Sequence, residues 1–204
     1  MVKNGIFIVL EGLDGSGKTT QAKILAQRLS ESYSTYLTAE PSCGKIGTFI
    51  RECCLYEQMR LPIEAEALLF AADRIEHMQA ELKPALEQGK LVICDRYLYS
   101  SLAYQGNSGL SLDWIKTINA RALQPDFSVF LDVPPERVLE RLRRKKSVME
   151  TLEVQRRVRE VYLKFVAKGE LIRVDGDKSR EVVADGLYAK VLEMLRCAKR
   201  LGCS

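Results

Sequence analysis

The sequence predicts an α/β fold: a five-stranded parallel sheet with helices on both faces. Three observations carry this. Five short apolar runs recur, at Gly5–Glu11, Thr35–Ala39, Leu91–Cys94, Phe127–Val133 and Leu171–Val174, and helical patterns separate them. Strands that alternate with helices connect by crossovers, which makes neighbours parallel and leaves two sheet faces to be covered. The first run leads into a glycine-rich turn followed by helical spacing, and the third ends at a carboxylate, Asp95.

Taken in order, Gly5–Glu11 is dominated by Ile6-Phe7-Ile8-Val9-Leu10, an unbroken apolar stretch suited to a strand buried on both faces. Residues 12–19 read Gly-Leu-Asp-Gly-Ser-Gly-Lys-Thr and fit the phosphate-loop pattern G-x-x-x-x-G-K-[ST] at every fixed position. Ala22, Leu25, Ala26 and Leu29 then recur at helical spacing and predict a helix over Gly17–Ser30. Further helices are expected at Lys45–Leu55, Ile63–Gln88, Tyr99–Tyr104, Leu112–Ala122, Pro135–Arg144, Leu152–Ala167 and Arg180–Leu201. No repeat, low-complexity tract or linker interrupts the pattern, so one domain over residues 1–204 is expected.

Composition narrows the class. With 28 % charged and 47 % hydrophobic residues and a net charge of +4, the chain reads as an ordinary soluble protein. Its six cysteines (43, 53, 54, 94, 197 and 203) form no C-x-x-C pair, and His77 is its one histidine, which argues against a zinc site and for free thiols in a cytoplasmic setting. Cys94, inside an apolar run, is expected in the core. Met1-Val2-Lys3-Asn4 runs straight into the first strand, leaving no room for a signal peptide, and no apolar run approaches the ~20 residues of a membrane span.

The chemistry lies where strands end, since ligands of open parallel sheets sit beyond the carboxyl ends. Backbone N–H groups of Gly12, Leu13, Asp14, Gly15, Ser16 and Gly17 would cradle the phosphates of a nucleoside triphosphate at a helix N-terminus. Lys18 would reach the β- and γ-phosphates, and the Thr19 hydroxyl would ligate Mg²⁺. Leu91-Val92-Ile93-Cys94-Asp95 has the form of a Walker B strand, whose Asp95 would hold Mg²⁺ opposite Thr19. Arg96 beside it suits a kinase with a monophosphate acceptor, because guanidinium grips phosphate bidentately; an Asp–Arg pair closing a loop is the plainer reading.

At this point the chain resembles a family. Asp95-Arg96-Tyr97-Leu98-Tyr99-Ser100-Ser101-Leu102-Ala103-Tyr104-Gln105-Gly106 is similar to the D-R-Y-x-x-S-S-x-A-Y-Q-G signature of thymidylate kinases. Leu10–Gln21, with an acidic residue inside the phosphate loop, resembles that family's loop, and Leu68-Leu69-Phe70-Ala71-Ala72-Asp73-Arg74 its nucleobase helix. Pro125-Asp126 and Phe130-Leu131-Asp132-Val133-Pro134-Pro135-Glu136 also match. The resemblance, spanning residues 5 to about 177, implies a P-loop nucleoside monophosphate kinase-like fold, ATP and Mg²⁺ as cofactors, dTMP as acceptor, and a homodimer without nucleic-acid or membrane partners.

The resemblance also implies residue roles. Phe70 stacks on thymine and Arg74, one turn on, donates to a thymine carbonyl, although Phe70 by its neighbours Leu68 and Leu69 would otherwise read as core. Ser101 lies near the base, Tyr104 lies under the sugar and excludes a 2′-OH, and Asp14 accepts from the 3′-OH. Arg96 holds the monophosphate, with Arg51 either helping or solvated. Gln105 contacts substrate or caps its helix. Asp175-Gly176-Asp177 lies near adenine or forms a plain turn, and His77 and Trp114 are structural and away from strand ends.

Residues 137–159 hold nine Lys or Arg against three Glu. Following the fourth strand, this run is expected to supply a lid over residues 141–152, with Arg143 and Arg144, and Lys145 behind them, stabilising the transferring phosphoryl group. Two departures bear on that expectation. Gly15 stands where some members place an arginine, and the lid is short and lacks A-R-G-x-x-D-R. Ala39-Glu40-Pro41 stands where many members read Arg-Glu-Pro, which would turn Glu40 toward the Mg²⁺ shell or the monophosphate loop. A deoxynucleoside kinase, with Glu40 or Asp95 as base, and a nucleic-acid binder using the basic run are the competing readings.

Overall fold

A computed structural model of the chain describes residues 5–53, 61–142 and 151–200. Its sheet is fully parallel, in the order β2-β3-β1-β4-β5, with β1 Ile6–Glu11, β2 Thr35–Ala39, β3 Leu91–Asp95, β4 Phe127–Asp132 and β5 Ile172–Asp175. The five expected strands are all present, displaced at their ends by no more than a residue. Register places Leu10 opposite Asp95 on one side of β1 and opposite Val129 on the other. Around β1 the chain order reverses, which opens a ligand crevice at the carboxyl edge. This is the expected P-loop nucleoside monophosphate kinase-like architecture.

Alternation along β1 divides the core in two. Ile8 and Leu10 pack with Leu25 and Leu29 of α1 (Lys18–Leu29) and with Leu187 and Val191 of α9 (Arg180–Arg200). Phe7 and Val9 face the opposite side, against Met78, Leu82 and Leu86. A third cluster joins Leu13 and Phe130 to α5 (Leu98–Asn107) and α8 (Leu152–Ala167), where Phe130 stacks on Tyr162 at 4.7 Å between ring centroids. Burial of both faces explains why these strands read as continuous apolar runs.

The remaining helices are α2 Lys45–Cys53, α3 Ile63–His77, α4 Lys83–Glu87, α6 Leu112–Ile118 and α7 Pro135–Arg141. Four departures from the expected boundaries stand out, one of them α7, which ends at Arg141 and not at Arg144. The single helix over Ile63–Gln88 is interrupted by a π-helical turn at Met78–Leu82. Pro84, in the first turn of α4, has no N–H to offer Ala80 and its ring crowds that carbonyl, so the ladder widens there. Helix α5 continues to Asn107, past the expected Tyr104. Helix α6 stops at Ile118 instead of Ala122, because the Asn119 amide bonds back to the Ile115 carbonyl and the chain turns.

Leu68, expected in the core, is 50 % exposed, because α3 turns its 67/71/74 face inward. Cys94 is buried as expected, and Cys43, Cys53, Cys94 and Cys197 are free thiols. Asp126 of the Pro-Asp pair is a structural clasp: its carboxylate accepts from Phe7 N at 2.6 Å while its own N–H donates to Phe7 O at 2.8 Å. Among the described residues no helix is long and apolar enough to cross a membrane.

Phe130→Ala would empty space between β1, β4 and α8 that no neighbour can fill without moving the sheet. We expect it to cost about 3–5 kcal/mol of stability by urea unfolding, with the m-value unchanged.

Candidate active site

The phosphate loop joins β1 to α1, and Gly17 at φ 93° forms the helix N-cap, a left-handed conformation that a glycine adopts without strain. Lys18 folds back over the loop, its Nζ donating to the Leu13 carbonyl at 2.6 Å and lying 3.5 Å from Ser16 Oγ. Burial and the nearby Arg96 guanidinium lower the Lys18 ammonium to about 8. At Gly15 a Cβ would stand 2.7 Å from Leu142 Cγ, so the residue closing α7 leans on the loop where an arginine side chain would begin.

Asp95 ends β3 within reach of that loop. Its Oδ2 accepts from the Thr19 hydroxyl at 2.5 Å, while its Oδ1 is buried with no partner among the described residues. A hydroxyl and a buried carboxylate oxygen without a donor form an all-oxygen pair of the kind Mg²⁺ takes. The sequence thus brings together the two residues expected to hold the metal.

Arg96 occupies φ 72°, a left-handed conformation rare for a side chain of its size, and Arg96 N–H donates to Leu10 O at 2.9 Å. The strained backbone throws the guanidinium over the phosphate loop. It donates to Gly12 O at 3.2 Å and Ser100 Oγ at 2.9 Å, forms an ion pair with Asp14, and lies 5.3 Å from the Tyr104 ring centroid. Burial alone would raise the Asp14 carboxyl, but Arg96 and Lys18 outweigh it and hold the group below its usual range. The Tyr104 phenol oxygen accepts from Asp14 N at 3.0 Å, tying α5 to the loop.

The residues expected to meet the nucleobase gather at α3. Phe70 is half-buried, and Arg74 is 1 % exposed. Arg74 donates through Nε and Nη2 to Glu40 Oε2 at 3.0 and 2.7 Å, and through Nη2 to Ser101 Oγ at 3.2 Å. Glu40 therefore faces neither the metal pair nor the monophosphate loop: its other oxygen lies 3.2 Å from His77 Nδ1. The correction has a simple cause, since a carboxylate buried beside a guanidinium pairs with it. His77 is structural as expected, but it does stand by a strand end, 2.8 Å from Thr38 Oγ1 of β2. Trp114 is half-buried on α6.

The loop after β2 is fixed from two helices. Ser42 binds Asp73 through its N–H at 2.9 Å and its hydroxyl at 2.5 Å, and Arg51 donates to the carbonyls of Pro41 and Ser42 at 2.7 and 2.6 Å. Arg51 is thus a loop anchor in this structure, not a solvated side chain. Gln105 is buried, and its Oε1 has no partner among the described residues. In the Asp175–Asp177 turn, Asp177 N donates to Asp175 Oδ1 at 2.9 Å, and the Asp177 carboxylate lies 3.5 Å from both Arg137 and Arg141.

Arg143, Arg144 and Lys145, and all but the ends of the 141–152 lid, lie outside the described residues. The described part of the basic run is committed to acids: Arg137 and Arg141 to Asp177, Arg156 to Glu136, Arg157 to Glu153 and Arg159 to Asp132. A nucleic-acid surface built on these five arginines would first have to break those pairs.

Sequence reasoning assigned no role to Glu11. It is fully buried at the end of β1 and accepts from Tyr97 N at 3.0 Å, Ser100 N at 3.2 Å, Ser100 Oγ at 2.6 Å and Tyr162 Oη at 3.1 Å. Burial pushes its carboxyl up, against those hydrogen bonds and the Arg96 charge. An acidic residue closing an apolar strand was the available signal. Asn119, discussed below, left no signal of that kind.

Because a triphosphate favours the Lys18 ammonium, its binding should take up a proton once the pH exceeds about 8. Affinity for a non-hydrolysable triphosphate is expected to be flat near pH 7.5 and to fall about tenfold per unit above 8.5, as read by calorimetry. A flat profile to pH 9.5 would contradict the lowered value.

Comparison with known proteins agrees with this geometry. The thymidylate kinase family model matches residues 10–186. A probable thymidylate kinase of Pyrococcus abyssi is 49 % identical over 92 % of this chain and 96 % of its own length. A thymidylate kinase of Halothermothrix orenii is 39 % identical over 92 % and 96 %. A probable thymidylate kinase of Methanococcus vannielii is 46 % identical over 78 % and 77 %. With a phosphate loop, a strand-end carboxylate and the arginine that follows it converging on one edge, and with relatives similar over nearly the whole chain, this protein belongs to the thymidylate kinase family.

Proposed function

We propose that the protein transfers the γ-phosphoryl group of ATP to dTMP, giving ADP and dTDP. The observation that carries the reading is the position of Arg96, a guanidinium poised over the phosphate loop from the adjacent strand end, beside the Lys18 ammonium. A triphosphatase or motor has no use for it; an acceptor phosphate does.

The acceptor phosphate has its second pKa near ~6, so its oxygen is already ionised at neutral pH and attacks without a general base. The protein's work is alignment and charge neutralisation. Backbone N–H groups from Gly12 to Gly17 and the Lys18 ammonium hold the donor, and Lys18 must first leave the Leu13 carbonyl. Arg96 holds the acceptor, which requires its ion pair with Asp14 to open. The released Asp14 carboxylate, held low and therefore ionised, is then an acceptor for the sugar 3′-OH. Tyr104, fixed to the Asp14 N–H, closes the sugar pocket against a 2′-OH. Mg²⁺, when held by Thr19 and Asp95, neutralises phosphate charge. Arg143 and Arg144 are the lid cations we assign to the transferring group.

Phe70 and Arg74 would read thymine, with the Ser101 hydroxyl alongside. Of the two carboxylates that could serve a nucleoside kinase as base, Glu40 is engaged by Arg74, and Asp95 accepts from Thr19 through one oxygen and is assigned to the metal through the other. A homodimer is in keeping with exposed Phe49 and Leu68 on the packed helices α2 and α3.

A coupled ADP-release assay with MgATP and dTMP, dUMP, dCMP, UMP or thymidine tests the reading. Turnover is expected with dTMP, weaker with dUMP, and absent with thymidine; turnover of thymidine but not dTMP would overturn it. Arg96→Ala should lower kcat/KM for dTMP by about a thousandfold with the fold retained by circular dichroism.

A further inference from the structure

Arg74 is clamped as few surface-reading arginines are. A guanidinium side chain carries five N–H donors. Two go to Glu40 Oε2, at 3.0 and 2.7 Å, one to Ser101 Oγ at 3.2 Å, and one from Nη1 to Asn119 Oδ1 at 2.5 Å. One N–H on Nη1 is left. The guanidinium also lies 5.0 Å from the Tyr97 ring centroid, which stops it tipping out of plane. Rotation about Cζ would break at least two bonds inside a site where water cannot replace them.

Asn119 decides which nitrogen is left. It follows α6, is buried, and donates its Nδ2 to Ile115 O at 2.8 Å. Arginine can only donate, so the amide oxygen must be the atom facing Nη1. Glu40 holds one edge of the guanidinium and Asn119 half of the opposite nitrogen, so the remaining donor has a fixed direction.

Resting on the reading that Arg74 meets a thymine carbonyl, we infer that Asn119 is a specificity-determining positioning residue. By occupying one Nη1 proton it aims the other at a single carbonyl oxygen and rejects a base presenting an amino group there. Asn119 itself does not touch the substrate; it acts through Arg74. Its loss should therefore fall on acceptor binding and on base discrimination, and not on the donor side or the phosphoryl step.

The test is steady-state kinetics of Asn119→Ala with dTMP and dCMP, beside the wild-type protein. We expect KM for dTMP to rise about tenfold, kcat to fall less than about threefold, KM for ATP to stay put, and the preference for dTMP over dCMP to shrink. Asn119→Asp retains the acceptor oxygen and is expected to restore KM to within about threefold of wild type. Should the alanine protein not fold, Asn119→Ser, whose oxygen is too short to reach Nη1, carries the same expectation. An unchanged KM and an unchanged dTMP preference in a folded Ala or Ser variant would overturn the proposal, as would failure of Asp to restore KM. Arg74→Lys separates the two readings. If it leaves KM for dTMP unchanged, the thymine assignment fails; if it raises KM while the Asn119 variants do not, only the role of Asn119 fails.

Discussion

The carboxyl edge of the sheet hangs on one buried carboxylate. Glu11 closes β1 with no exposure and accepts four hydrogen bonds, from two backbone N–H groups, a serine hydroxyl and a tyrosine phenol. Desolvation of such a group is costly unless every lone pair is engaged. Glu11 meets that condition by gathering the β3–α5 junction and α8 around the end of β1. The same bonds hold Ser100, which receives Arg96, so the left-handed backbone of Arg96 is braced by a residue one strand away. Phosphate loop and Arg96 thus share one support.

Around it the charges separate into two groups. Near the phosphate loop, the Asp14 carboxylate pairs with Arg96 and lies in the field of Lys18, which leaves one cation in excess. In the reaction we propose, anionic substrates compete for the same cations, and binding exchanges an internal pair for an external one. Beyond β2, Arg74, Glu40, His77 and Thr38 form a second network. Buried and almost fully satisfied, it behaves as fixed scaffolding, which is what recognition of a neutral base by directed hydrogen bonds requires.

How much of this could be read beforehand depended on the range of the interaction. Strand positions followed from apolar runs because burial on both faces leaves a mark in consecutive residues. The phosphate loop, Asp95 and Arg96 were legible because they sit in contiguous segments whose backbone course is set locally. The end of α6 was not, since Asn119 stops it by a bond back to Ile115 while the same side chain answers to Arg74, 45 residues away in sequence. Leu68 misled because its apolar neighbours say nothing about which way the helix is turned.

By itself, then, the sequence determined the parallel sheet, the phosphate loop and the two residue types that end β3, because each rests on local spacing and on burial periodicity. Only the tertiary structure decided what Glu40, Arg51, His77, Asn119 and Glu11 do. Each is a polar group brought out of water by packing, and its partner is whichever donor or acceptor the fold places within about 3 Å. That choice is made by elements distant in the chain, and no spacing rule records it.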